Sequence, residues 1–329
     1  MDEGILTTIG HTPLIELRRM FKGLRFRLFA KMESFNPGGS IKDRAALWIL
    51  RDAMERGTLK PGATVIESSS GNMGIGLAQA CAYLGLRFIC VIDPKTTKQN
   101  IKILEAYGAE IDYVSSPDPL TGEFLPARIN RVHALLGETL NSFWPDQYSN
   151  LANAMAHHQT MHEIVTELDG PLDYLFCATS TCGTMRGCAE YAREHHLSTR
   201  IVAVDAVGSA IFGNKPAQRL IPGHGAAMRP PLYQEHLFDI SVHVTDLDCV
   251  IGCRQLMKQE ALLVGGSSGA VLAAVRQLGQ SIPDGATCVV ILPDRGERYL
   301  DTIYSEAWVR KHFGETSYQW ENQVEKVCV

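Results

Sequence analysis

Extended apolar segments alternate with helix-period segments along nearly all of this 329-residue chain. Arg25–Met32, Thr64–Glu67, Arg87–Ile92 and Glu110–Val114 read as strands, as do Asp173–Ala178, Arg200–Asp205, Ile240–Val244 and Thr287–Leu292. Residues 42–56, 73–84, 99–107, 124–136, 154–167, 184–195, 247–261 and 270–278 carry apolar residues at helical spacing. A strand then a helix, repeated, predicts parallel sheets with helices on both faces. Ligand-bearing loops in such folds follow the C-terminal ends of the strands. The chain is long enough for two domains of ordinary size. Its long irregular stretch is Ala206–Glu235, rich in Gly and Pro.

Several classes of function are disfavoured. A net charge of −5 leaves no polybasic footprint, so nucleic acid is not an expected partner. The first residues, Met1–Leu6, are acidic and lack a basic region before an apolar run. No apolar stretch is as long as a membrane span. A cytoplasmic protein without membrane contact is expected. The nine cysteines are scattered, form no CxxC pair and mostly lie within apolar segments, which predicts reduced, buried thiols. Cys249 and Cys253 have no third ligand near them in sequence, and His157, His158 and His162 lack the His-Glu-x-x-His order. No metal site is expected.

The chemistry gathers in four turns. Asn36–Pro37–Gly38–Gly39–Ser40–Ile41–Lys42–Asp43–Arg44 is a glycine turn that ends on a lysine as a helix begins. A lysine held at a fixed place, where it can shed its proton, is a nucleophile and a base; otherwise Lys42 is a solvated residue behind the helix cap Ser40. Ser68–Ser69–Ser70–Gly71–Asn72–Met73 follows a strand and offers hydroxyls, an amide and bare backbone at a helix start, which suits a carboxylate or phosphate. Its glycines run G-x-x-G-x-G rather than in the dinucleotide order. Ser180–Thr181–Cys182–Gly183–Thr184 is a second such turn and a neutral phosphate cradle without the lysine of a P-loop. Gly265–Gly266–Ser267–Ser268–Gly269, read as a turn before a helix at Ala270, places a hydroxyl fit for a ring nitrogen. Together they describe a phosphorylated aldehyde cofactor held through a Schiff base.

On these residues the chain resembles the cysteine synthase/cystathionine β-synthase family of pyridoxal-phosphate enzymes, over residues 5–305. The matching pieces are Ile9–Leu14, Asn36–Arg44, Ser69–Ala78, Gln147–Asn150, Gly266–Ala270 and Pro293–Leu300. The resemblance implies fold type II, tryptophan synthase β-like: two three-layer αβα domains with mostly parallel sheets. A smaller mobile domain (36–146) would close on the substrate, and a larger one (1–35 plus 147–313) would bind pyridoxal 5'-phosphate. A polar tail (314–329) and a homodimer complete the expectation. Lys42 would carry the cofactor and act as base at the substrate Cα. Asn72 would bond the cofactor's 3-oxygen, and Ser69, Ser70, Gly71, Asn72 and Met73 would grip the substrate carboxylate together with Gln147. Ser180, Thr181, Cys182, Gly183 and Thr184 would hold the cofactor phosphate, and Ser267 the pyridine nitrogen. A hydroxyl there tempers the electron sink and suits β-replacement.

Departures from ordinary cysteine synthases point to a branch. Cys182 stands in the phosphate loop, Met73 where Thr is usual, and Pro293–Asp294–Arg295 for Pro–Asp–Ser. With Asp205–Pro216 they resemble the staphyloferrin B-type siderophore branch, which joins O-phospho-L-serine to L-glutamate on the way to 2,3-diaminopropionate. Such anionic substrates call for extra cations. Arg128 and Arg131 share a helix face, and Lys215, Arg219 and Arg229 lie in the irregular stretch. Arg219 is assigned to the leaving phosphate and Arg128 to the glutamate side chain, with Tyr148 and Ser180 helping to position the second substrate. The alternatives within the fold are a cysteine synthase using sulfide, a cystathionine β-synthase and a dehydratase. Outside it, a catalytically silent homologue would be expected to lack Lys42 or Asn72, and both are present.

Overall fold

The computed structural model describes Gly4–Phe21 and Gly23–Gly314. The expected tail lies outside the described residues apart from Gly314, as does Cys328. The strands are β1 (Leu14–Glu16), β2 (Arg27–Met32), β3 (Thr64–Ser68), β4 (Arg87–Ile92), β5 (Glu110–Tyr113), β6 (Ser142–Phe143), β7 (Tyr174–Ala178), β8 (Arg200–Ala206), β9 (Ile240–Val244) and β10 (Thr287–Leu292). The helices are α1 (Lys42–Glu55), α2 (Asn72–Leu84), α3 (Lys98–Ala106), α4 (Phe124–Glu138), α5 (Leu151–Glu167), α6 (Gly183–Glu194), α7 (Asp246–Glu260), α8 (Gly266–Leu278) and α9 (Glu306–Phe313). The α/β class and the mostly parallel pairing are those expected.

The chain divides into two compact units, with changes at Gly10/His11, Phe35/Asn36 and Ala156/His157. The first unit holds a four-stranded, all-parallel sheet ordered β5-β4-β3-β6. Every position of β3 is buried, as a strand covered on both faces requires. Residue parity shows which helix covers which face. Val65, Phe88, Cys90 and Ile92 pack with Ile49 and Leu50 of α1 and Ile75 and Leu77 of α2. Ile66, Ile89 and Val91 pack with Val132 and Leu135 of α4. Residues 147–156 belong to this unit, where the sequence placed 147 onward in the other domain. Hydrogen bonds tie them there: the Gln147 N–H donates to Glu67 (3.2 Å) and its side-chain amide to the Ser68 carbonyl (3.5 Å).

The second unit holds a six-stranded sheet ordered β1-β2-β10-β7-β8-β9, parallel except for the β1–β2 edge pair. Phe176, Val204, Val244 and Val290 face a core completed by α7 and α8. Here the glycine-rich turn expected over 264–269 needs correction. Helix α8 starts at Gly266, and its glycines serve packing. A Cβ on Gly269 would lie 1.9 Å from the Cys249 carbonyl oxygen of α7, and one on Gly252 would lie 2.4 Å from the Gly269 carbonyl oxygen. The two backbones touch, which only glycine permits. The eight described cysteines are free thiols and buried. No helix among the described residues is long and apolar enough to cross a membrane.

Candidate active site

In the first unit, residue chemistry explains the lysine turn piece by piece. Gly39, at φ +84°, closes a turn by donating to the Asn36 carbonyl (2.8 Å). Asn36 is fully buried, and its Oδ1 accepts from the Gly10 N–H (2.8 Å). Asp43 accepts from the Gly38 N–H (2.6 Å), so close that a Cβ on Gly38 would sit 2.6 Å from the carboxylate. Ser40 Oγ accepts from the Lys42 N–H (3.2 Å) as α1 begins. Gly76 of α2 braces the far side: a Cβ there would lie 3.2 Å from the Lys42 carbonyl oxygen. The backbone of half-buried Lys42 is therefore fixed from both directions.

Beyond β3 the turn 68–72 opens onto α2. Ser69 Oγ accepts from the N–H groups of Gly71 (3.3 Å) and Gly74 (2.9 Å), so this hydroxyl caps the helix from within the loop. Asn100 of α3 donates to the Ser70 carbonyl (3.0 Å). Ser70, Gly71 and Asn72 remain partly exposed, whereas Met73 is 2% exposed and packs into the core. Any share of Met73 in ligand binding therefore falls to its backbone N–H.

Behind this loop lies a residue the sequence reading did not single out. Glu67, at the end of β3, is buried. Its Oε1 accepts from the Ser68 N–H (2.8 Å) and the Trp144 indole N–H (3.2 Å), and its Oε2 from the Gln147 N–H (3.2 Å). Burial pushes its pKa up to about 7 against the lowering effect of those bonds. Gln147 is thus brought beside the loop, its side-chain amide 3.5 Å from the Ser68 carbonyl. Tyr148 follows, half-buried. Arg128 pairs through Nε with buried Asp93 (3.2 Å), and its Nη1 makes no hydrogen bond. Arg131 is bound by three contacts to Asp112 (2.8, 3.0 and 3.1 Å).

In the second unit β7 ends at Ala178, and Thr179 ties the loop base to β8 through Asp205 (3.1 Å). Cys182 adopts the left-handed conformation at φ +65° where α6 starts, a position glycine takes at lower cost. Thr181 Oγ1 accepts from the Gly183 N–H (3.3 Å). The Thr184 hydroxyl lies 3.2 Å from His157 Nε2, and His157 Nδ1 lies 3.2 Å from Thr160 Oγ1. This histidine is fully buried; it fixes a cradle hydroxyl, a role no sequence spacing reveals. Ser267 lies in the first turn of α8, 8% exposed. Gly265 before it leaves room for Asp294, whose carboxylate a Cβ would overlap at 2.0 Å. The irregular stretch returns to the cradle, since the Gly225 N–H donates to the Thr179 carbonyl (2.7 Å). There Arg219 Nη1 donates to the His224 carbonyl (3.1 Å), and Arg219 Nε is buried without a partner. Burial lowers the His224 pKa to about 3, so its imidazole is neutral. Lys215 is exposed, and Arg229 donates to the Ile211 carbonyl (2.8 Å) and lies over Tyr233.

The first unit supplies an amine at a fixed helix start, and the second a helix mouth bearing the hydroxyls of Ser180, Thr181 and Thr184 together with the Ser267 hydroxyl; each is a group of the kind that pyridoxal phosphate takes. The fold and the chemistry of these groups are those of a pyridoxal-phosphate enzyme. The family described as "Pyridoxal-phosphate dependent enzyme" matches residues 5–294, and the chain belongs to it. Among solved structures, a cysteine synthase from Entamoeba histolytica is 33% identical, with 99% of this chain and 95% of that one covered and a TM-score of 0.86. An O-acetylserine dependent cystathionine β-synthase from Helicobacter pylori is 30% identical, over 92% and 98%, with a TM-score of 0.84. An O-ureido-L-serine synthase is 31% identical, over 94% and 96%, with a TM-score of 0.83. The protein is a pyridoxal-phosphate-dependent β-replacement enzyme of the cysteine synthase type.

Proposed function

We propose that the reaction joins O-phospho-L-serine to the amine of L-glutamate, releasing phosphate and N-(2-amino-2-carboxyethyl)-L-glutamate for siderophore synthesis. The observation that carries this reading is Arg219, a guanidinium with a buried, unpartnered Nε in the stretch bonded to the base of the phosphate cradle. A guanidinium fork suits a leaving phosphate. Arg128 supports the second half of the reading. Asp93 engages its Nε and balances its charge, while Nη1 keeps hydrogen-bonding capacity for a side-chain carboxylate.

Bound pyridoxal phosphate supplies the electron sink that acidifies the substrate Cα and lets the β-substituent leave. Lys42 holds the cofactor and takes the Cα proton. The N–H groups and hydroxyls of Ser69–Met73, with Gln147, bind and orient the substrate carboxylate, and Asn72 bonds the cofactor's 3-oxygen. Ser180–Thr184 would hold the cofactor phosphate, and Ser267 would offer the ring nitrogen a neutral hydroxyl. Tyr148 and Ser180 flank the second substrate. A homodimer acting in the cytoplasm is part of the same reading.

Mixing holoenzyme with O-phospho-L-serine or O-acetyl-L-serine, then titrating L-glutamate, sulfide or homocysteine, tests it by the cofactor's absorbance. The first addition is expected to shift the spectrum and glutamate to restore it. Restoration by sulfide alone would make the protein a cysteine synthase. The glutamate KM of Arg128→Ala is expected to rise at least tenfold, the loss of one charge-assisted bond.

A further inference from the structure

We infer that Glu67 is a positioning residue for the substrate carboxylate, one buried side chain clasping both pieces of that site, the loop after β3 and Gln147. This rests on the assignment of Ser69–Met73 and Gln147 to carboxylate binding. Ser68 and Gln147 stand 79 residues apart in sequence. Their N–H groups converge on the two oxygens of Glu67, and the Trp144 indole adds a third donor. A carboxylate accepts at both oxygens. A carboxamide at the same place would turn an NH2 group onto one of those donors, leaving buried N–H groups opposed.

A mere structural tie has little need of a charge buried at this depth, where it is costly. Among the described residues no cation bonds to Glu67. The titratable groups that bear on it are Asp146 beside Gln147, which adds repulsion, and the Cys90 thiol of β4, which also senses Arg128. A substrate carboxylate arriving at the loop brings a second negative charge towards it. The neutral form of Glu67 keeps acceptor capacity, so protonation removes the repulsion and preserves the clasp. Substrate binding and protonation of Glu67 are therefore coupled, each favouring the other.

Trp144 makes the coupling visible in holoenzyme without turnover. Its fluorescence is expected to titrate with a midpoint near pH 7. The midpoint should move up by about half a unit with saturating O-phospho-L-serine or O-acetyl-L-serine, equivalent to a threefold rise in ligand Kd across the transition. Trp144→Phe assigns the signal. In Glu67→Gln the titration should vanish, the Kd at pH 6.5 rise about tenfold, and the rate constant of the saturated first step stay within threefold. Glu67→Asp should keep a titration with an intermediate Kd, and it carries the test if the amide variant fails to fold. A Glu67→Gln enzyme with wild-type Kd and pH dependence overturns the role while leaving the proposed reaction intact. A wild type that responds to neither serine ester overturns the reaction and this role together.

Discussion

The mouths of α2 and α6 follow one plan. A parallel strand ends, a hydroxyl-bearing turn follows, and a helix opens whose first N–H groups lack intrahelical partners. What stands behind each differs. The α2 mouth, in the first unit, is backed by a buried carboxylate bonded to three neutral donors. The α6 mouth, in the second, is backed by an imidazole wedged between Thr184 and Thr160. On the proposed reading one device serves two tasks. A carboxylate that titrates near neutrality can exchange a proton as a substrate comes and goes. A cradle of hydroxyls and backbone N–H groups carries no charge to exchange and suits a phosphate that stays.

The sharpest way to break this contrast is Lys42→Ala. Turnover should fall on the order of 10³-fold or more with loss of the base, yet dialysis should still find cofactor held through the α6 mouth. Complete loss of cofactor would mean that the second unit cannot hold it alone.

The next effect is on stability. Glu67 has a folded-state pKa of about 7 against an ordinary 4.5, so between these values the folded chain carries a proton that the unfolded chain has released. Its contribution is fully present below about pH 4.5 and is lost as pH rises through 7, by up to roughly 3 kcal/mol. Denaturant unfolding at pH 5 and pH 8 should show that loss in the wild type and not in Glu67→Gln. Equal pH dependence would remove the difference between the two mouths.

A smaller change is expected at the cradle. Thr184→Val leaves His157 short of a partner and should weaken pyridoxal-phosphate binding about tenfold, while the Trp144 titration stays where it was. Thr184→Ser should restore most of the affinity. The smallest effect is Cys182→Gly. Relief of a left-handed residue is worth about 1–2 kcal/mol, and the added freedom of glycine in the unfolded chain takes back about 0.4–1 kcal/mol. Thermal unfolding should therefore rise by a few degrees at most, with cofactor affinity unchanged.

The alternation of strands and helices and the turn that sets Lys42 at a helix start were legible in the chain because they are local matters. Period-2 and helical patterns report on one segment at a time. A glycine turn ending on a lysine, with Asn36 and Asp43 alongside, carries its own geometry. The hydroxyls of Ser180–Thr184 and the Asn72 mouth were visible for the same reason. The start of α8 was not. Four residues of Gly266–Ser267–Ser268–Gly269 have turn composition, and only contact with Cys249 and Gly252 shows that the glycines admit another helix. The direction of Met73, into the core instead of towards the loop, likewise depended on neighbours far along the chain.

The sequence by itself determined the class of fold, the placing of Lys42 at a helix start and the two hydroxyl-bearing turns at helix mouths, since backbone propensity and side-chain chemistry are written residue by residue. Tertiary structure alone decided that Glu67 is buried among Trp144, Ser68 and Gln147 and that His157 reaches Thr184. A pKa and a hydrogen-bond partner belong to an environment, and distant segments must assemble before that environment exists.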